Sequence, residues 1–360
     1  MRGMKVLAVA GAAVLALGLA ACGGDEGDSG GGGDGGNKVK IGLAYDIGGR
    51  GDKSFNDSAA AGLDKIKSEY GADRVEVKEL SPNPNETEAD KYERLKLLCT
   101  QGYNPVIAVG FVYAGVDPAN GPMVKASKDC PNAKFAIIDD SSATAGNIAN
   151  LVFAEHQGSF LVGAAAALKS QSGKVGLVGG CLVPLIQKFE AGFKAGVAQV
   201  NKDDGKNVTV DVNYLSTPAE KCSGFNDPAK GQTSAEGLYD KGDDIVFQVA
   251  GGSGTGVFKA AKAKNKQAIG VDSDQYETAG ADLQSVIITS MLKRVDVAVY
   301  DFLKPFIDSG GFTAGTTTFD LKKDGVGYST TGGKIDDIKP KLDAYRQQII
   351  DGQITVPDKL

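Results

Sequence analysis

The chain has 360 residues and a formal net charge of -6, with 45 acidic against 39 basic residues. The acidic balance and the interspersed lysine and arginine residues argue against a nucleic acid partner. The length exceeds what one hydrophobic core usually supports, so we expect two domains. A single histidine leaves few options for histidine-based catalysis.

The N-terminus has the pattern of an export signal. Arg2 and Lys5 precede an apolar run that ends in the small-residue segment 19–22, LAAC. This segment is similar to a bacterial lipobox, in which the cysteine receives a diacylglycerol and the chain is cleaved before it. The run is shorter than the roughly 20 apolar residues of a membrane-spanning helix. We therefore expect a signal peptide at 1–21 and an extracytoplasmic protein, anchored to the cell membrane through a lipidated Cys22.

A glycine-rich segment at 22–37 follows the predicted lipidation site. Its small and acidic residues cannot bury enough apolar surface to order it, so it is predicted to be a flexible tether. No second apolar stretch of spanning length follows, which indicates a single lipid anchor. Cleavage removes Arg2 and Lys5, so that 37 basic residues remain against 45 acidic ones and the net charge becomes -8.

Beyond the tether, short apolar runs alternate with amphipathic helical stretches, the pattern of an α/β protein with parallel sheets. Two such sets predict two Rossmann-like lobes. The first lobe is expected to comprise 38–152 and 275–360, and the second 153–274. The β-rich tail at 316–328 and the last helix at 335–351 are assigned to the first lobe. Chain crossings between the lobes are predicted to form a hinge.

Four cysteines remain in the exported part of the chain, and an even number favours disulfides. Of three possible pairings, Cys99 with Cys130 and Cys181 with Cys222 is favoured, because each pair lies within one predicted lobe. A zinc site is the alternative, but none of the four lies in a CxxC motif and His156 is the only histidine. No metal or other cofactor is expected.

Polar segments that follow predicted strands are the candidate ligand site, because ligands of open parallel sheets bind at the carboxyl ends of the strands. The loop 46–56 contains Phe55, whose ring is either a local staple onto the next helix or a stacking surface for a flat ligand. Asp272 and Asp274 follow a later strand, where they either bind vicinal hydroxyl groups or cap the next segment. Lys293 is a cation beside them or a surface residue.

A glycine-rich turn at 246–256 leaves a strand and enters a helix, so its free N–H groups could bind oxygen atoms. Gly251 and Gly256 have the spacing of a phosphate-binding Walker A motif. Val257 and Phe258 replace the lysine and hydroxyl residue that such a motif requires, which argues against nucleotide hydrolysis.

A resemblance to a known family is carried by the lipobox together with the segments 52–56 (DKSFN), 155–163 (EHQGSFLVG), 250–254 (AGGSG) and 270–275 (GVDSDQ). In these segments the sequence resembles the basic membrane protein family of lipoproteins, the purine nucleoside receptor-like proteins. The likeness extends from residue 38 to about 351. It implies a type I periplasmic-binding-protein fold and a role as the substrate-binding component of an ABC transporter, typically one for nucleosides.

The resemblance also implies ligand-contacting residues. Two aromatic rings enclose the base in the family, and the matching residues are Phe55 and Phe247. The polar residues that match its base contacts are Asp46, Asn56 and Asp139. Its ribose site matches Asp272, Lys293 and the backbone of Gly251 and Gly252.

We therefore expect a monomeric binding protein without enzymatic activity. It is predicted to capture a nucleoside, with purine nucleosides favoured, in the cleft between its lobes. ABC permease and ATPase subunits are the expected partners, together with the membrane that holds the anchor. A sugar- or polyol-binding lipoprotein and a sensor are alternatives. A nucleoside hydrolase that uses Asp46, Asp52 and Asp272 is a third.

Overall fold

The computed structural model of the protein describes residues 38–360. The predicted signal peptide, the lipidation site at Cys22 and the tether therefore lie outside the described residues. Within residues 38–360, we find no helix whose length and apolarity would let it cross a bilayer.

Strands and helices alternate along the described chain, as expected of an α/β protein. The strands are β1 (Val39–Ala44), β2 (Val75–Leu80), β3 (Val106–Ala108), β4 (Phe135–Ile138), β5 (Ile148–Phe153), β6 (Lys174–Gly179), β7 (Thr209–Tyr214), β8 (Ile245–Val249), β9 (Gln267–Asp272), β10 (Ile287–Lys293), β11 (Gly315–Phe319) and β12 (Val326–Tyr328). The α-helices are α1 (Phe55–Arg74), α2 (Glu88–Thr100), α3 (Pro122–Asp129), α4 (Glu155–Lys169), α5 (Pro184–Asp204), α6 (Pro228–Asp240), α7 (Gly254–Lys264), α8 (Gln275–Thr278), α9 (Val295–Ser309) and α10 (Lys339–Ile350).

The strands form two six-stranded sheets. The first has the order β11-β5-β4-β3-β1-β2, and the second has the order β12-β10-β9-β8-β6-β7. The neighbouring strands pair in parallel, except for β12, which runs antiparallel to β10. The central strands are buried, as parallel strands covered on both faces must be. The predicted α/β class with two parallel sheets is confirmed.

The C-terminal part of the chain is divided between the sheets, which differs from the expectation that 275–360 joins the first lobe. Strand β11 does complete the first sheet, but β10 and β12 lie in the second. The reason is strand pairing, because β10 pairs in parallel with β9 and occupies its free edge. The last helix, α10, packs against α4. The lobe boundaries themselves stay a prediction.

Three connections run between the two sheets, and they lie side by side. They join β5 to α4, β10 to α9 and β11 to β12. The N–H of Ala154 in the first connection donates to the carbonyl of Phe319 at 2.9 Å, and the N–H of Arg294 in the second donates to the carbonyl of Gly325 at 2.9 Å. These hydrogen bonds bind the crossings into one ribbon between the sheets.

Both predicted disulfides are present. Cys99, at the end of α2, pairs with Cys130, which follows α3. Cys181, which follows β6, pairs with Cys222 in the connection between β7 and α6. Each disulfide therefore joins segments that flank a single sheet.

Phe247 is part of the hydrophobic core of the second sheet. Its side chain is fully buried in the middle of β8. The ring stacks on Phe193 of α5, with centroids 5.3 Å apart and an angle of 30° between the ring planes. Such a pair combines a large buried apolar area with favourable ring geometry.

We expect Phe247→Ala to lower the free energy of unfolding by about 3–5 kcal/mol, because it leaves a cavity beneath Phe193. Urea denaturation measures this loss. Phe247→Leu, which retains most of the volume, is the control and should cost much less. Equal losses in the two variants would contradict the packing role.

Candidate functional site

A narrow cavity lies where the carboxyl ends of the two sheets face each other. Ligands of parallel α/β sheets bind at this edge, outside the carboxyl ends of the strands. The lining is formed by Asp46, Ile47, Asp52, Phe55, Asn56, Phe111, Asp139, Leu185, Ile186, Phe189, Phe225, Val249, Gly251, Val271, Asp272 and Lys293. The structure thus brings together, from both sheets, most of the residues that the sequence singled out.

The loop after β1 is built around the carboxylate of Asp52. This side chain accepts hydrogen bonds from three backbone N–H groups at the start of α1, those of Ser54, Asn56 and Asp57, at 2.9, 2.9 and 3.1 Å. Asn56 closes the other end of the loop, because its side-chain oxygen accepts from the N–H of Asp46 at 2.9 Å. Asp52 and Asn56 therefore shape the loop, and Phe55, half-buried between them, lies against the cavity.

Asp46 presents a carboxyl group to the cavity at the end of β1. Burial raises its pKa to about 7, although the N–H of Ile47 donates to it at 2.6 Å. The carboxyl lies against Gly110, where a Cβ atom would come within 2.0 Å of Asp46 Oδ2. Gly110 has a φ of +108°, so both its backbone and its missing side chain make room for this carboxyl.

Lys293 joins the two sheets through a buried ion pair. It ends β10 in the second sheet, is 2% exposed, and its Nζ lies 2.5 Å from Asp139 Oδ2 in the first sheet. Glu155, at the start of α4, lies 3.4 Å from the same nitrogen. Burial lowers the pKa of Lys293, but the three carboxylates of Asp139, Glu155 and Asp272 outweigh it and raise the pKa above its usual value. The lysine therefore stays charged.

Asp139 and Asp272 occupy equivalent places at the ends of β4 and β9. Both have left-handed backbones, with φ of 70° and 66°, which is uncommon for residues other than glycine and is often found at functional sites. Burial raises the pKa of each carboxyl. Asp272 accepts a hydrogen bond from Ser54 Oγ at 2.5 Å. Asp139 Oδ1 is buried and has no hydrogen-bond partner among residues 38–360, so it is available to a ligand.

Of the predicted contact residues, the structure places Asp46, Phe55, Asn56, Asp139, Gly251, Asp272 and Lys293 at the cavity. Gly252 does not line it, although it follows Gly251 in the same turn. Phe247 was expected to stack on the ligand, and this is wrong. Its side chain is fully buried and packs on Phe193, because Phe247 lies in the middle of β8, two residues before Val249, which lines the cavity at the end of the strand.

Sequence reasoning missed three aromatic residues of the lining, Phe111, Phe189 and Phe225. Phe225 lies in a short turn at Ser223–Asn226, far from the glycine-rich segment in sequence. Phe189 belongs to α5, where its spacing is that of an ordinary core residue. Only the fold brings these rings to the cavity, so no local pattern could have identified them.

The charge at the cavity is predominantly negative. Four carboxyl groups line it, those of Asp46, Asp52, Asp139 and Asp272, whereas Lys293 supplies a single cation. That cation is already paired with Asp139 and lies 4.9 Å from the centroid of the Phe55 ring. The cavity thus favours ligands that donate hydrogen bonds and carry no negative charge. In the described part of the chain we find no group of three or more His, Cys, Asp or Glu residues suited to a metal ion.

Residues 38–359 match a family model described as ABC transporter substrate-binding protein, PnrA-like. A CD4+ T-cell-stimulating antigen of Listeria monocytogenes is 35% identical, covering 99% of each chain. The ABC transporter nucleoside-binding protein BmpA of Lactococcus lactis is 32% identical, covering 89% of this chain and 90% of its own. A solved solute-binding protein of an ABC transporter system from Aeropyrum pernix is similar in structure, with a TM-score of 0.74 and 28% identity, covering 89% of this chain and 94% of its own.

We expect Lys293→Met to lower the free energy of unfolding by about 3–5 kcal/mol at pH 8, because it leaves buried carboxylates unpaired. The loss should shrink at pH 5. Without the lysine, the pKa of Asp139 rises further above its unfolded value, so the folded variant takes up protons as the pH falls and regains stability. Urea denaturation at both pH values measures this. Lys304→Met, at an exposed ion pair, is the control, and a loss that does not vary with pH would contradict the prediction.

Proposed function

Because the chain belongs to the PnrA-like family of ABC transporter substrate-binding proteins, we propose that the solute it captures is a nucleoside, with purine nucleosides favoured. The family consists of binding components and not of enzymes, so we propose no hydrolysis. The observation that carries the proposal is a cavity that combines half-buried aromatic rings with carboxyl groups, one of which, Asp139, has an oxygen without a hydrogen-bond partner among residues 38–360. The name of the Lactococcus lactis relative supports the same class of ligand.

Stacking on aromatic rings is the first part of the argument. Phe55 comes from the loop after β1 of the first sheet, and Phe225 comes from the connection after β7 of the second. Both side chains are half-buried and line the cavity, so we propose that Phe225 takes the role expected of Phe247. A base stacked on such a ring gains about 1–3 kcal/mol, and any base offers a π-face.

Hydrogen bonds to carboxylates are the second part. We assign Asp46 and Asp139 Oδ1 to N–H groups at the edge of the base, since both are buried acceptors. Asp272 suits the ribose hydroxyls, together with the backbone of Gly251 at the turn before α7. Lys293 differs from the role that the resemblance implies, because it is bonded to Asp139 and orients that carboxylate.

The negative charge of the cavity selects against phosphorylated ligands. A phosphate group would approach the carboxylates of Asp46, Asp139 and Asp272 in a site largely shielded from water, where like charges repel strongly. Lys293 cannot compensate, since Asp139 and Glu155 already surround it. We therefore propose that the protein binds nucleosides and rejects nucleotides.

Capture is completed by contacts between the two halves of the site. Ser54 Oγ donates to Asp272, and the side-chain amide of Gln275 donates to the carbonyl of Lys53 at 2.9 Å. We propose that these contacts hold a closed form and break when the lobes open about the three crossings. The closed monomer, anchored outside the membrane through lipidated Cys22, would deliver its nucleoside to the permease and ATPase subunits of the transporter.

Isothermal titration of the purified protein should show binding of adenosine, inosine or guanosine and no binding of ribose. The matched monophosphates should bind about tenfold or more weakly than the nucleosides.

Phe55→Ala should weaken nucleoside binding about 5- to 150-fold, because it removes one stacking surface. The matched control is Phe302→Ala, a half-buried phenylalanine that packs on Phe312. If the protein binds no nucleoside at millimolar concentration, the proposal is refuted. If the ligand is a sugar, the affinity of Phe55→Ala for it should be nearly the same as that of the wild type.

Nucleoside affinity should rise with pH between about 5.5 and 8. Burial raises the pKa of Asp46 to about 7, and the ionised carboxylate accepts a hydrogen bond from an N–H of the base more strongly than the neutral carboxyl does. Below that pKa, affinity should fall by up to about tenfold per pH unit. Titration calorimetry of wild type and Asp46→Asn, with a nucleoside that does not itself titrate in this range, measures the profile. Parallel profiles for the two proteins would rule out Asp46 as the titrating group.

A further inference from the structure

The connection between β7 and α6, residues 215–227, reaches both the cavity and the opposite sheet. Phe225 contributes its ring to the cavity lining. Lys221 Nζ donates to the carbonyl of Asn85 at 2.9 Å, and Asn85 lies in the connection between β2 and α2 of the first sheet. This connection, which we call the clamp loop, therefore combines a ligand-facing ring with a contact between the two halves of the site.

The clamp loop has a backbone that needs support. Lys221 and Cys222 are consecutive, are not glycine, and both have a left-handed conformation with φ of 53°. This backbone conformation is unfavourable for residues other than glycine, and it persists only where contacts with the surrounding structure stabilise it. Cys222 is bonded covalently to Cys181, which is fully buried and lies two residues after the end of β6. The disulfide thus ties the least favourable part of the loop to the sheet.

The same attachment sets the position of the Phe225 ring. Phe225 is three residues beyond Cys222, and its ring lies over Gly180, the residue before Cys181. A Cβ atom at Gly180 would come within 2.3 Å of that ring. Ser216 Oγ also donates to the carbonyl of Gly180 at 2.6 Å, and Ser253 Oγ donates to that of Gly224 at 2.7 Å. Both ends of the turn are held, so the ring has little freedom.

We propose that Cys181 and Cys222 are positioning residues for the ligand, and that their disulfide holds the clamp loop with Phe225 in the cavity and Lys221 on the opposite sheet. Cys99 and Cys130 have no such role, because their disulfide joins α2 to α3. The identity of the ligand rests on the proposed function, whereas the position of the ring does not. When a dithiol reduces the bond, the dithiol becomes a cyclic disulfide, both cysteines become thiols, and the loop is released.

The first test needs no ligand. The chain has no tryptophan, so Phe225→Trp introduces a single fluorophore at the ring position. In this background, the tryptophan fluorescence of the Cys181→Ser/Cys222→Ser variant should be quenched by acrylamide clearly more strongly than that of its parent. The Cys99→Ser/Cys130→Ser variant removes the same number of disulfides and should be quenched like its parent. Equal quenching in the two double variants overturns the proposal.

The second test uses nucleoside dissociation, measured by stopped flow on proteins with native Phe225. Cys181→Ser/Cys222→Ser should release the nucleoside about tenfold faster or more, as expected when stacking on one ring is lost, and Cys99→Ser/Cys130→Ser should not. Gly180→Ala keeps the disulfide but displaces the ring, so it should also release the nucleoside faster. Unchanged release from Cys181→Ser/Cys222→Ser overturns the inference. If the parent binds no nucleoside, the proposed function fails, and the quenching experiment alone decides the inference.

Discussion

A buried lysine is the point at which the two sheets and the candidate site depend on each other. Lys293 ends the second strand from the edge of one sheet, yet its charge is balanced by Asp139 of the other sheet and by Glu155 at a crossing between them. A buried charge without partners is very costly, so this cluster favours the arrangement of the two sheets that completes it. The cavity then forms around the cluster, with the ring of Phe55 above the ammonium group.

The residues of the site have different roles, which follow from this arrangement. Asp52 and Asn56 have their hydrogen-bonding capacity used within their own loop, so they act as scaffold. Asp139 keeps one oxygen free because Lys293 takes only the other. The proposed selectivity for uncharged hydrogen-bond donors would follow from having more carboxylates than cations in a shielded volume, and it would require no residue dedicated to excluding anions.

Much of this could be predicted from the sequence, and the exceptions have physical causes. Alternating apolar and amphipathic segments reveal α/β architecture, because each strand and helix has its own local period. Residues directly after strands, such as Asp46 and Asp272, could be assigned because parallel strands end at a common edge. The sheet that β10 joins depends on long-range pairing, which no local pattern records. Phe247 was misassigned and Phe225 was missed for a similar reason, since whether a ring is buried in the core or reaches the cavity depends on tertiary packing.

The positions of Asp139 and Asp272 have a consequence for the origin of the site. Apart from the orientation of the edge strand, the two sheets have the same strand order, and β4 and β9 hold the same third place in it. Each of these strands ends in an aspartate with a left-handed backbone. The two sheets are thus pseudo-symmetric, as they would be after duplication of an ancestral half. The carboxylates of Asp139 and Asp272 occupy equivalent positions in the two halves. An asymmetric solute bound there meets one chemical group twice, so the loops that differ between the halves must tell its two ends apart.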